Sequence, residues 1–213
     1  GRNYLVAGKT TNTFQLTDLF GTAINTSGFT AYTSGGTAEE LFEIASPYPE
    51  SALPDLRFVQ SADTMYLVHP SYAPRKLTRS GHTSWTFTEI TFTDGPYLDA
   101  NTTATTLNPG ATSGTGVALV ASADTFASTD VGRLISLHSG NATITAFTDA
   151  QNVTVTINAT LSASTATTAW SLGAFSGTTG YPSAVTFFEQ RLIFAATTDE
   201  PQSIFFSKSG DYE

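Results

Sequence analysis

The sequence predicts an all-β protein: a small β-barrel, then a discontinuous β-propeller-like or β-meander domain that carries an inserted small β-sandwich or barrel. Three observations predict it. Apolar residues alternate with period two through most of the chain, and helical spacing is nearly absent. Of the 213 residues only 13% are charged, about half the usual share near 25%, and Thr, Ser, Ala and Gly fill the gap. β-branched Thr suits a pleated, half-solvated surface. Finally, one unit is written twice: "LRFVQSADTMYLVHPSYAPRKLTRSG" (Leu56–Gly81) and "VTFFEQRLIFAATTDEPQSIFFSKSG" (Val185–Gly210). Each reads as strand, short break, strand, longer proline-containing loop, strand, Ser-Gly, which is how a propeller blade is written.

Taken in order, residues 1–47 read as four or five short strands, the size of one small barrel. "NTFQLTD" (Asn12–Asp18) is a strand followed by a turn at Phe20-Gly21, and "FTAYTSGG" (Phe29–Gly36) a strand ending in glycines. "TAEELFEIA" (Thr37–Ala45) is the best helical candidate, stopped by Pro47 and Pro49, although "LFEI" also alternates like a strand. "TSWTFTEITFTDGPY" (Thr83–Tyr97) is the cleanest strand, and neither of its faces is wholly polar, so it belongs between two layers.

From Asp99 the composition changes. Residues 99–177 hold evenly spaced strands and only Asp99, Asp124, Asp130, Asp149 and Arg133 as charged groups. This stretch reads as an inserted domain, with Trp170 packing at its junction with the host. At "FSGTTGYP" (Phe175–Pro182) the chain goes back to the more charged, more aromatic character of residues 48–98. The host domain then joins 48–98 to 178–213, since insertions succeed at exposed turns.

The formal net charge is −9, against the basic patches that grip nucleic acid. Zero Cys excludes disulfides and thiol nucleophiles. No run of 18 apolar residues gives a membrane span. The opening residues lack an apolar signal core and an initiator Met, and the sequence reads as a piece of something longer.

The wording of "FVQSADTMYLVHPSYAPRKLTR", "DVGRLISL" and "AWSLGAFSGTTGYPSAVTFFEQRLIFAATTDEPQSIFFSKSGDYE" resembles tailed-bacteriophage virion proteins. It is similar to tail proteins of the tubular protein B (nozzle) group of short-tailed phages, over most of residues 40–213. Residues 1–47 separately resemble, in fold only, the small β-barrel half-domain of ubiquitin-activating enzymes. The resemblance implies a non-catalytic tail component, made in the bacterial cytoplasm and located in the virion. It implies self-association, contact with other tail proteins, and passage of DNA without specific binding. The alternative is a tail module that binds a host-surface glycan or receptor.

Chemistry-bearing residues form no recognisable set. His69, His82 and His138 lie in separate contexts without a second ligand at metal spacing. No G-x-S-x-G elbow and no phosphate-cradling glycine loop occurs. No catalytic, cofactor-binding or metal-binding residue is therefore expected. Aromatics such as Tyr66, Phe87, Phe187 and Phe205 are expected in cores, with a sugar-stacking platform as the alternative. Seven acids are expected near a channel if the chain forms a ring: Glu39, Glu40, Glu43, Glu50, Asp55, Asp199 and Glu200. An acidic lumen repels phosphate over roughly 8 Å in physiological salt.

Overall fold

The computed structural model describes residues 4–30 and 42–212. They are all-β, in four antiparallel sheets, and the chain divides into two units, Gly1–Leu41 and Phe42–Glu213.

In the first unit, β1 (Leu5–Ala7) pairs with β2 (Gln15–Thr17), and Thr17 bridges to Ala23. The turn between is tied by Asp18, whose Oδ1 accepts the N–H groups of Thr22 at 2.8 Å and Phe20 at 2.9 Å. Those donors, Thr22 first, hold the Asp18 carboxyl below its ordinary range. Most of the predicted strand at Phe29–Gly36, most of the helical candidate, and Glu39 and Glu40 lie outside the described residues.

The second unit opens with a 3-10 turn at Glu50–Asp55 and a meander of β3 (Arg57–Ser61), β4 (Thr64–His69), β5 (Tyr72–Gly81) and β6 (Ser84–Glu89). β4 is apolar on both faces. Leu67 packs under Tyr48 and Ala52 of the turn segment, while Tyr66 and Val68 enter a core on the other side. The strand predicted over Thr83–Tyr97 stops at Glu89. Ile90 donates its N–H to the Pro74 carbonyl at 2.9 Å, and Pro74 has no N–H to return, so the ladder ends. Phe87 therefore joins the Tyr48 side and Ile90 and Phe92 the opposite core.

Six strands follow: β7 (Leu107–Pro109), β8 (Gly114–Ala121), β9 (Leu134–Leu137), β10 (Gly140–Asp149), β11 (Asn152–Ala159) and β12 (Trp170–Leu172). Their spatial order is β12-β9-β10-β11-β8-β7. The sheet curls into a half-barrel, and one bridge links the start of β7 to the segment before β12: Leu107 and Thr167 exchange backbone hydrogen bonds of 2.9 and 3.0 Å. Alternate residues fill the interior, among them Leu107, Leu119, Ile135, Ile144 and Val155, none more than 1% exposed. Trp170 does not sit at the host junction as expected. It packs against this interior and donates its indole N–H to the Thr105 carbonyl at 3.0 Å, because an indole buried in a sheet end needs an acceptor nearby. Gly140 is required where β10 starts, since a Cβ there would overlap the carbonyl oxygens of Ala159 and Thr160.

The second meander, β13 (Ala184–Phe188), β14 (Arg191–Ala195) and β15 (Ile204–Phe206), has three strands in sequence order. Phe187, Leu192, Phe194 and Phe205 face the core that already holds Tyr66 and Val68. The two repeated units are thus layered sheet on sheet. Glu189 and Gln190 join β13 to β14 with φ of +46° and +60°, the two-residue turn that suits the strand twist and favours Asn-Gly.

Two outcomes follow for stability. Replacing Glu189-Gln190 by Asn-Gly relieves two left-handed non-glycine residues, and the thermal midpoint rises by about 2–4 °C per kcal/mol gained. Gly140→Ala, by contrast, forces the β10–β11 corner apart and costs about 1–3 kcal/mol in urea titration.

Candidate functional site

The place where chemistry gathers is the seam at which the curled sheet leaves and rejoins the meanders. It is locked by one buried ion pair. Arg133 donates from Nη1 to Asp130 Oδ1 at 2.9 Å and from Nε to the Gly173 carbonyl at 2.8 Å. Asp130 Oδ2 accepts the Ala127 N–H at 2.9 Å, and the Arg133 and Asp130 side chains are only 3% and 1% exposed. Burial pulls the Arg133 guanidinium below its ordinary range, opposed by Asp130 and, more weakly, by Asp199. Gly173 is the residue after β12, so the pair fixes the exit of the curled sheet against its 3-10 turn at Ser128–Asp130.

On the entry side, Asp94 accepts the Tyr97 hydroxyl at 2.9 Å and the Asn141 side-chain N–H at 3.4 Å. Tyr97 is raised well above the usual phenol value, first by burial and then by the Asp94 carboxylate. Asn141 Oδ1 is buried without a partner. Beside these residues lies a cavity of about 260 Å³, walled by Phe92, Phe194 and Tyr212 and rimmed by Asp94, Phe206 and Lys208. That is below the range of roughly 300–1,000 Å³ usual for drug-sized ligands.

The histidines do not converge. His69 is buried against Tyr48 and Tyr72, with Nδ1 accepting the Ser71 N–H at 3.0 Å. His82 offers its carbonyl to Trp85, and His138 Nε2 lies 2.7 Å from the Thr165 carbonyl. Among the described residues no group of three or more His, Asp or Glu could hold a metal ion, and no helix is long and apolar enough to cross a membrane.

The acids expected near a channel stand on separate elements. Glu43 is exposed ahead of the 3-10 turn, which carries exposed Glu50 and Asp55. Asp199 and Glu200 are exposed between β14 and β15, where Glu200 accepts the Ser203 hydroxyl at 2.9 Å. Asp199 alone acts on the seam, through the charge of Arg133. Sequence reasoning passes over Asp130, Arg133, Asp94 and Asn141. The available signal is Arg133 as the single cation in a block with four Asp, since a lone charge in an apolar block needs a partner.

Compared with protein-family models and with curated proteins, the chain matches none.

Asp130→Ala leaves a buried guanidinium uncompensated and costs about 3–5 kcal/mol, whereas Asp130→Ala with Arg133→Met recovers much of it. Equilibrium urea unfolding of the three proteins reads the difference. Because burial raises Tyr97, and likewise Tyr48 and Tyr181, above 10.0, the folded chain holds these protons more tightly than the unfolded one. Their contribution to stability is therefore level below about pH 10 and falls as pH rises beyond it. Tyr97→Phe makes that alkaline fall shallower.

Proposed function

We propose that this chain is a non-catalytic structural component of a phage tail, of the nozzle or tail-tube kind, acting by self-association and by shaping a passage for DNA. The observation that carries this reading is the repeat. The two segments whose wording resembles the nozzle group are the two meanders that share one aromatic core, with Phe187 and Tyr212 edge-on or tilted against Tyr66 and each other. Sheet-on-sheet layering of repeated units builds propellers and rings, whose units cannot bury their faces alone. The polar groups at the seam support the same reading, since Asp94, Tyr97 and Arg133 are already bonded to their neighbours.

On this reading residues 99–177 are an inserted domain hung from a host made of 48–98 and 178–213, with 1–47 a small barrel before it. The exposed acids Glu43, Glu50, Asp55, Asp199 and Glu200, with Glu39 and Glu40, supply the negative wall of a channel. Mass spectrometry of purified virions, followed by labelling of the chain in intact particles, tests the reading. The expected location is the tail. Absence from virions, or turnover of a polysaccharide abolished by changing one carboxylate, overturns it.

One observation favours the alternative of a host-surface glycan module. The cavity combines aromatic walls with Asp94, Lys208 and Asp211 at its edge, the mixture that holds a sugar ring. Retention on a glycan array, lost in Tyr212→Ala, decides for it.

A further inference from the structure

A sheet has two faces, and the second meander covers only one of them. The pairing register sets Phe188, Ile204 and Phe206 on the face of Ile193 and Arg191, opposite the shared core. The first three are 59%, 58% and 58% exposed. Together they leave roughly 300 Å² of apolar surface in water, taking about 150–250 Å² for a whole aromatic side chain. Patches of about this size on single chains are often functional.

The first meander shows how this chain covers the corresponding surface. Its outer face, with Met65, Leu67, Leu77 and Phe87, lies under Tyr48, Ala52 and Leu56. The cover is incomplete, and apolar surface remains on that side. Leu53 on the 3-10 turn is 52% exposed, and Phe58 on β3, on the sheet face of Leu67 by register, is 61% exposed. The bare face and the apolar cover lie on opposite outer sides of the layered pair, because the core of Tyr66, Val68, Leu192 and Phe194 stands between the two sheets. One molecule cannot bring its own two patches together.

We propose that they meet between molecules: the Leu53–Phe58 surface of one copy seats on the Phe188–Ile204–Phe206 face of the next, head to tail. The proposal deepens the assembly reading and rests on its premise of self-association. Stacking by this contact continues the alternation of sheet and cover that each copy begins, and two different patches make the contact heterologous, so it closes into a ring or propagates. Pairing of the bare face with itself would leave Leu53 and Phe58 in water. The segments flanking each patch carry both signs, Glu50, Asp55 and Arg57 next to the cover and Glu189, Arg191, Asp199, Glu200 and Lys208 next to the bare face. Neither set repels the other as a block. A standard contact takes about 800 Å² per partner, so the aromatic patch forms its centre rather than its whole.

The experiment is sedimentation velocity over a concentration series of the chain and of two variants, Phe206→Glu and Phe58→Glu, with circular dichroism to establish that each is folded. The wild-type chain is expected to form species larger than a dimer as concentration rises. Each variant alone is monomeric. An equimolar mixture of the two forms a dimer and nothing larger, because one competent contact survives between them. A wild-type chain that stays monomeric at the highest attainable concentration overturns the proposal. So does dimerisation of Phe58→Glu by itself, which would mean that the bare face pairs with its own kind. Should either variant fail to fold, Ile204→Ser and Leu53→Ser test the same two surfaces with the same expected mixture. The virion reading fails separately: a chain that assembles this way but is absent from virions removes that reading and leaves this contact standing.

Discussion

A strand turns successive side chains to opposite faces, so a strand that is apolar at every position must be covered twice. That constraint governs the described part of the second unit. β4 reads Thr-Met-Tyr-Leu-Val-His and finds both covers, the second sheet on one side and the Tyr48–Leu56 segment on the other. β14 reads Arg-Leu-Ile-Phe-Ala, equally apolar, and finds one. Ile193 is buried among its neighbours, yet Phe206 beside it in the register is mostly in water. The curled sheet meets the same constraint differently. By curling into a half-barrel, with one bridge between Leu107 and Thr167, it has a single interior to fill, so its strands need apolar residues mainly at alternate positions.

This difference explains why composition shifts along the chain. Val117, Leu119 and Ala121 on β8 and Val153, Val155 and Ile157 on β11 point inward, while Ala118, Val120, Thr154 and Thr156 face outward or lie at the edge. Thr can occupy the outer positions without charge, because its methyl group packs on the pleat while its hydroxyl meets water. The meanders cannot use that economy. β4 and β14 carry apolar residues on both faces, and charge falls in turns, as with Glu189, Asp199 and Glu200, or along β5, as with Arg75, Lys76 and Arg79.

The strands are legible in the sequence because period two survives in many of them. The repeat holds only in part. The longer proline-containing loop expected in the first unit is a turn at Pro70-Ser71, with Pro74 inside β5, whereas the second unit keeps a connection from Ala196 to Ser203. The boundaries are less legible. Nothing in "TSWTFTEITFT" announces a break after Glu89, since the cause is Pro74 on the neighbouring strand, fifteen positions away along the chain. The tight turns at His138-Ser139 and Glu189-Gln190 lack the Asn-Gly signature, although all four residues take positive φ. The expected place of Trp170 is wrong for a related reason. A tryptophan at the end of a segment marks a place that needs packing, but only the spatial order of the strands shows that β12 lies beside β9, and its indole beside Thr105.

The seam is the least legible part, and the physics of buried charge says why. Arg133 and Asp130 are three positions apart, and on an exposed surface such a pair contributes little. Here both are buried, and replacing such a pair with apolar residues is often neutral, so it is a poor source of stability. What the pair supplies is position. An arginine fork has directions in which its N–H groups must find acceptors, and here they find one carboxylate oxygen and the carbonyl of Gly173. A Cβ on Gly173 would stand 3.1 Å from the backbone of Leu134, so the exit strand lies close against β9 with no room for a side chain between them. An apolar pair could fill the same volume without specifying that register. In a block so poor in charge, one ion pair at the point of exit fixes how the curled sheet hands the chain back to the second meander.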